Sequence, residues 1–310
     1  MGTVAALTVR GKTRFSHVPG AGPASRDGSH DAGVLAYACA PVLQRRPCVP
    51  DLINVLLLGI IEGITEFLPI SSTGHLLIAQ HWLGARSDTF NVVIQAGAIL
   101  AVTLIYWKRL WQLASGWREL ANRDYVYKLM LAFAITAVLG MVVAKSGFKL
   151  PDTVMPIAIA LIVGGFWILA AEWVSARRPQ SERITWTVAI LVGLAQIVAA
   201  IFPGTSRSAA TIFIAMLAGT NNRAAATEFA FLVGIPTMFA ASGYELLKQW
   251  KSGGMDEDWF AMGVGFVVAT ITAFIAVKWL LGYIRTHTFN AFALYRIALG
   301  AGLLLLMPGN

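Results

Sequence analysis

The chain has 310 residues, 57% of them hydrophobic and only 13% charged, with a formal net charge of +8. Soluble domains hold about 25% charged residues, and a mean hydropathy of +0.66 excludes that class in favour of an all-α integral membrane protein inside a lipid bilayer. The basic residues lie between apolar runs rather than in one patch, which argues against nucleic acid as a partner and fits a positive-inside bias.

Residues 1–50 differ from the rest: they are rich in Gly, Ser, Arg and Ala, contain no Glu, and have no amphipathic period. Met1 to Arg14 lacks the long apolar core of a signal peptide. This stretch reads as a disordered extension, or as one that is not translated, with synthesis starting near Val49. Both cysteines, Cys39 and Cys48, fall here, so the membrane body carries no disulfide or thiolate chemistry.

From Asp51 to the C-terminus we expect one membrane domain. Six apolar runs have the length of a span, about 20 residues: 90–107, 127–145, 154–174, 227–247, 259–282 and 291–308. Two others, Leu52 to Leu83 and Ile184 to Ala218, are too long for one span. Each is interrupted midway, by Pro69-Ile-Ser-Ser-Thr-Gly and by Pro203-Gly-Thr-Ser-Arg-Ser. Irregular backbone at membrane depth must be buried in protein or line a wet cavity, so both runs read as re-entrant helix–loop–helix hairpins. A shift of 134 residues sets Gly59 on Gly193, Glu62 on Gln196, Pro69 on Pro203, Ser71 on Thr205 and Ser72 on Ser206. Three spans follow each hairpin, so the second copy would be inverted. The expected architecture is thus two inverted repeats, about 51–174 and 184–310, with their polar tips meeting near the midplane.

Sidedness follows from the loops. Lys108, Arg109, Arg118, Arg123, Lys128, Arg177, Arg178, Arg183, Arg223 and Arg285 fall on one side. Arg86, Lys145, Lys149, Lys248 and Lys251 fall on the other, offset by Asp88, Asp152 and Asp256-Glu257-Asp258. The first side is expected to be cytoplasmic, which puts the mouth of the first hairpin outside.

The first interrupted run reads GIIEGITEFLPISSTGHLLI. Glu62 and Glu66 are one helical turn apart and project from one face. Two buried like charges repel, and each loses its hydration. A divalent cation held by Glu62 and Glu66 would relieve both problems, and oxygen ligands suit Mg²⁺ or Ca²⁺; the alternative is a pair of hydrogen-bonded carboxyls. His75 stands three residues after Ser72 and is a candidate base or nucleophile, where the plainer reading is a core histidine. His81, nearer the surface, reads as structural. The second run carries PGTSRSAAT. Gly204 frees the backbone, and Ser206, Arg207, Ser208 and Thr211 supply donors where a helix begins, a natural anion site. An Arg fork matches phosphate oxygens at two points; otherwise Arg207 simply balances Glu62 or Glu66. Carboxylates, hydroxyl and imidazole on one tip and an anion cradle on the other describe a phosphate-ester or pyrophosphate site.

Together, EGITEFLPISSTGH and PGTSRSAAT resemble the two signature motifs of the undecaprenyl-pyrophosphate phosphatase family of the bacitracin-resistance type, and the resemblance runs from about Asp51 to the C-terminus. It implies a metal-dependent, multi-pass hydrolase of the bacterial inner membrane. Such an enzyme removes the terminal phosphate of the C55 isoprenoid pyrophosphate and regenerates the lipid carrier for peptidoglycan. By position, Glu62 and Glu66 match the first motif's acidic pair, with Ser72 and His75 following, and Ser206, Arg207 and Thr211 match the second. The expected mechanism has Ser72 attack after activation by His75, with a metal held by Glu62 and Glu66 on the pyrophosphate oxygens and Arg207 with the Ser206–Thr211 turn neutralising the rest; a metal-bound or His-activated water is the rival nucleophile. Ser71, Thr73, Gly204, Ser206, Ser208 and Thr211 are the expected substrate-binding set, and the site would open to the periplasmic side. A homodimer is compatible with this reading. A lipid-phosphate flippase or ion-coupled transporter of the same architecture is the alternative.

Overall fold

In the computed structural model the described residues are 49–146, 154–251 and 258–306. The expectation for residues 1–50 lies outside them up to residue 48, with Val49 and Pro50 already in the first helix, and the charges Lys149, Asp152, Asp256 and Glu257 lie outside them too. The described chain is helical, and it holds α1 (Val49–Thr65), α2 (Ser72–Leu83), α3 (Asp88–Ile105), α4 (Trp107–Ser115), α5 (Leu120–Lys145), α6 (Val154–Ser175), α7 (Trp186–Ile201), α8 (Arg207–Leu217), α9 (Arg223–Lys251), α10 (Trp259–Tyr283) and α11 (Asn290–Leu306). Polar caps start several of them. Ser87 accepts from Phe90 N, Thr185 from Val188 N, and Asp258 from Phe260 and Ala261 N, each satisfying a donor that the first helical turn leaves free.

Among the described residues, α3, α5, α6, α9 and α10 are long and apolar enough to cross a membrane. They match five of the six expected spans. The sixth, α11, is apolar but runs only 17 described residues. One element was not expected. α4 is short and amphipathic, with Trp107 and Trp111 exposed and stacked on each other, as aromatic side chains do at a membrane–water interface. Its Arg109 pairs with Glu228 of α9 at 3.0 Å.

The two interrupted runs form helical pairs: α1 packs on α2, and α7 on α8. Each pair then lies against the opposite half of the chain, α1 on α10 and α7 on α5, while α3 packs on α10 and α9, and α11 on α6. Close approach is set by small residues, as between membrane helices generally. A Cβ at Gly97 of α3 would stand 2.4 Å from the Phe266 carbonyl of α10, so that crossing excludes any side chain there.

Both breaks end in the same way. Ser71 (φ 75°) and Ser206 (φ 68°) hold left-handed backbone, which is uncommon and strained for a residue other than glycine, and both cap the following helix. The structural match is therefore Ser71 with Ser206, which puts Ser72 opposite Arg207 as the first residue of its helix. The shift of 134 that aligns α1 with α7 becomes 135 in the turns, so the expected pairing of Ser72 with Ser206 is one residue out of register.

Candidate active site

The two tips meet. α1 carries on by one bond past its end, Glu66 N donating to Glu62 O at 3.0 Å, so the two carboxylates share one helical face and adjoin. Both are buried. Glu66 is the hub. Its Oε2 accepts from the Ser72 hydroxyl at 2.5 Å, and its Oε1 accepts from Gln95 Nε2 of α3 at 3.4 Å and lies 3.7 Å from Arg207 Nη2. Glu62 keeps one oxygen, Oε2, without a hydrogen-bond partner among the described residues.

The Arg207–Glu66 contact is long and made at one point, so most of the guanidinium fork is left for something else. Arg207 is half-buried, and it opens α8 beside Ser208, whose hydroxyl donates to Leu68 O of the first tip at 3.0 Å. Ser71 Oγ accepts from Gly74 N and Ser206 Oγ from Ala209 N. The first N–H groups of α2 and α8 therefore remain available at the junction, where the helix dipoles favour an anion.

His75 is not the partner of Ser72. Its Nδ1 lies 2.7 Å from Ser71 O, and its Nε2 lies 2.7 Å from Tyr295 Oη of α11. A carbonyl only accepts, so Nδ1 carries a proton, and in the neutral ring Nε2 accepts from the Tyr295 hydroxyl. The imidazole meets Ser71 O and Tyr295 rather than Ser72, and the Ser72 hydroxyl meets Glu66.

The remaining expected substrate contacts divide between scaffold and site. Gly204 is at φ 91°, and a Cβ on it would meet Ile157 O at 2.8 Å, so the turn and its contact with α6 require glycine. Ser206 and Ser208 share a hydrogen bond at 3.0 Å, and the Thr211 hydroxyl folds back on Arg207 O at 2.8 Å. Thr73 is exposed.

Sequence reasoning missed Gln95, Tyr295 and, above all, Arg296. This arginine of α11 is fully buried. It donates to Pro69 O of one tip at 3.2 Å, to Gly204 O of the other at 3.0 Å, and to Ala160 and Leu161 O of α6 at 3.1 and 3.4 Å. The two tip carbonyls occupy the same place, each two residues before its left-handed serine. One buried cation thus satisfies irregular backbone that the bilayer could not and sets the tips against each other. Beside the junction a small cleft is lined by Glu66, Gln196, Arg207, Ser208 and Thr211 together with the apolar Phe67, Ala230, Phe231, Gly234 and Met238.

Residues 55–302 match the family described as bacitracin resistance protein BacA. The chain belongs to that family. Its curated relatives are named undecaprenyl-diphosphatase. The protein of Rhizobium leguminosarum bv. trifolii is 72% identical over 256 residues, spanning 82% of this chain and 96% of the relative. The Rhizobium etli protein is 70% identical over 255 residues with the same coverage, and the Xanthomonas axonopodis pv. citri protein 62% identical over 259 residues, covering 83% and 98%. BacA membership bears out the resemblance carried by the two motifs, which are the segments that form the junction.

Proposed function

We propose that the protein hydrolyses undecaprenyl pyrophosphate to undecaprenyl phosphate and phosphate, recycling the carrier lipid for peptidoglycan synthesis and conferring resistance to bacitracin. The observation that carries this reading is the meeting of a carboxylate–serine pair and an arginine at two apposed helix starts. Ser72 donates to Glu66, so Glu66 takes that proton as Oγ attacks the terminal phosphorus. The bond to the bridging oxygen breaks, and the proton passes from Glu66 to the lipid monophosphate that leaves. Water then attacks the phosphoserine: one of its protons stays on the released phosphate, and the other returns to Ser72 through Glu66. Arg207 and the free N–H groups of α2 and α8 balance the charge that develops on the phosphoryl oxygens. Attack by water from the start is the rival first step.

The donor set fits a divalent ion. Glu62 Oε2 is an orphaned buried oxygen next to Glu66, and Mg²⁺ characteristically takes one or two carboxylates plus substrate phosphates. Glu62 and Glu66 would hold it, and when bound it neutralises pyrophosphate charge. Ca²⁺, which gathers six to eight oxygens, would need more ligands than this pair supplies. We further propose that the hairpins α1–α2 and α7–α8 are re-entrant, that the halves are inverted repeats, and that the site opens to the periplasmic side of the bacterial inner membrane. The likeness of Ser71 to Ser206 and the crossed packing of α1 and α7 support the duplication, and the loop charges support the orientation.

Purified protein given farnesyl or undecaprenyl pyrophosphate should release phosphate, and EDTA should abolish the release. A protein that binds the lipid without cleaving it would return the transporter reading. Arg207→Lys keeps the charge but loses the fork. Turnover should fall roughly a hundredfold, the cost of one strong oxyanion donor, with the thermal midpoint in detergent nearly unchanged. Full activity in this variant would reduce Arg207 to a counter-charge for Glu66.

A further inference from the structure

Gln196 stands on α7 where α1 carries Glu62, and it is 2% exposed. Its Nε2 donates to Thr136 Oγ1 of α5 at 2.9 Å. The one proton of the Thr136 hydroxyl is shared between two carbonyls, Ala132 O at 2.9 Å and Gly193 O at 3.0 Å, so toward Gln196 its oxygen accepts. That fixes the amide. Turned over, Gln196 would set its own oxygen against the lone pairs of Thr136. Oε1 is therefore the free end, and it has no hydrogen-bond partner among the described residues. Buried acceptors are seldom left so, and each exception needs a reason. Gln196 lines the cleft with Glu66 and Arg207, whereas Thr136 does not. With Nε2 held toward α5, Oε1 is the free half of the amide, on a residue that lines the cleft with Glu66 and Arg207.

The ligand that suits this oxygen is a donor. Phosphate oxygens are acceptors and would be repelled by it. Arg207 directs its Nη2 at Glu66. Water is the donor that every hydrolysis must supply. We infer that Gln196 Oε1 accepts a hydrogen bond from the water that attacks phosphorus, making Gln196 a catalytic residue and Thr136 the positioning residue that holds its amide; the inference rests on the phosphatase reading above. The water oxygen forms the new bond to phosphorus as the bond to the departing oxygen breaks. One water proton goes to the departing oxygen through Glu66. The other stays on the product phosphate and is the one held by Oε1. The amide neither gains nor loses a proton, so a neutral side chain suffices where the repeat counterpart is an acid.

Competition between water and methanol for the phosphoryl group tests the inference, because the product ratio reports selection of the nucleophile rather than overall rate. Farnesyl pyrophosphate is turned over in buffer containing methanol, and methyl phosphate and phosphate are quantified together. Gln196→Met keeps the length and volume but lacks the acceptor; it should raise the methyl phosphate fraction about fivefold while total turnover falls about tenfold. Thr136→Val leaves the cleft untouched but frees the amide. It should shift the ratio in the same direction by a smaller factor, and it decides the matter should the Met variant fail to fold. A ratio equal to wild type in the folded variants, or no methyl phosphate from any of them, overturns the assignment and leaves Gln196 a packing residue. Wild-type protein that releases no phosphate in either form refutes the phosphatase reading and this inference with it.

Discussion

Glu66→Gln is expected to lower turnover about a thousandfold, within the range general-base catalysis contributes, while Glu62→Gln lowers it about tenfold. The asymmetry comes from what each carboxylate touches. Glu66 accepts the Ser72 proton and faces Gln95 and Arg207. An amide keeps its size but cannot take that proton, and it removes the charge opposite Arg207. Glu62 makes no such contact with the serine, and its counterpart in the second half is the neutral Gln196, so an amide already fits that backbone position. Phosphate release from isoprenoid pyrophosphate, measured beside the thermal midpoint in detergent, checks both. If Glu66→Gln keeps a tenth of wild-type activity, the proton goes elsewhere. Equal losses in the two variants would mean that the pair acts through a shared ion rather than through Glu66 as the base.

The spans were legible because an apolar run of about 20 residues has few fates, and the hairpins because Pro and small polar residues cannot continue a lipid-facing helix. α4 escaped notice for the opposite reason: Trp107, Lys108, Arg109 and Trp111 form no apolar run, and a helix of nine residues leaves little periodicity to read. The register of the tips was out by one because a left-handed turn built on Ser71 and Ser206, rather than on glycine, leaves no compositional mark. Both motifs were legible as chemistry, but their wiring was not. His75 and Ser72 are close in the chain, yet the imidazole reaches a tyrosine 220 residues away, and no local spacing encodes that contact. Arg296 was hidden in the same way. A lone arginine in an apolar helix gives no hint that four carbonyls from α6 and both tips converge on it.

Ser72→Ala should cost at least as much as Glu66→Gln, and the double variant should cost little more than either alone. A nucleophile and its base act as a unit, so removing one largely idles the other. The expected loss is about a thousandfold or more, near 4 kcal/mol of transition-state stabilisation at about 1.4 kcal/mol per tenfold. The fold should tolerate the change, because Ser71 rather than Ser72 caps α2. What separates this route from direct attack by water is the intermediate. Wild-type protein quenched within milliseconds of mixing with labelled substrate should carry phosphate on Ser72, and the label should be absent from Ser72→Ala. His75→Gln bears on the same point. Because neither imidazole nitrogen meets Ser72, that variant should still form the phosphoserine. A His75 variant unable to form it would restore the histidine as the serine's base and require α2 to rearrange when substrate binds. Ser72→Ala retaining a tenth of wild-type turnover would hand the attack to water, with Glu66 as its base.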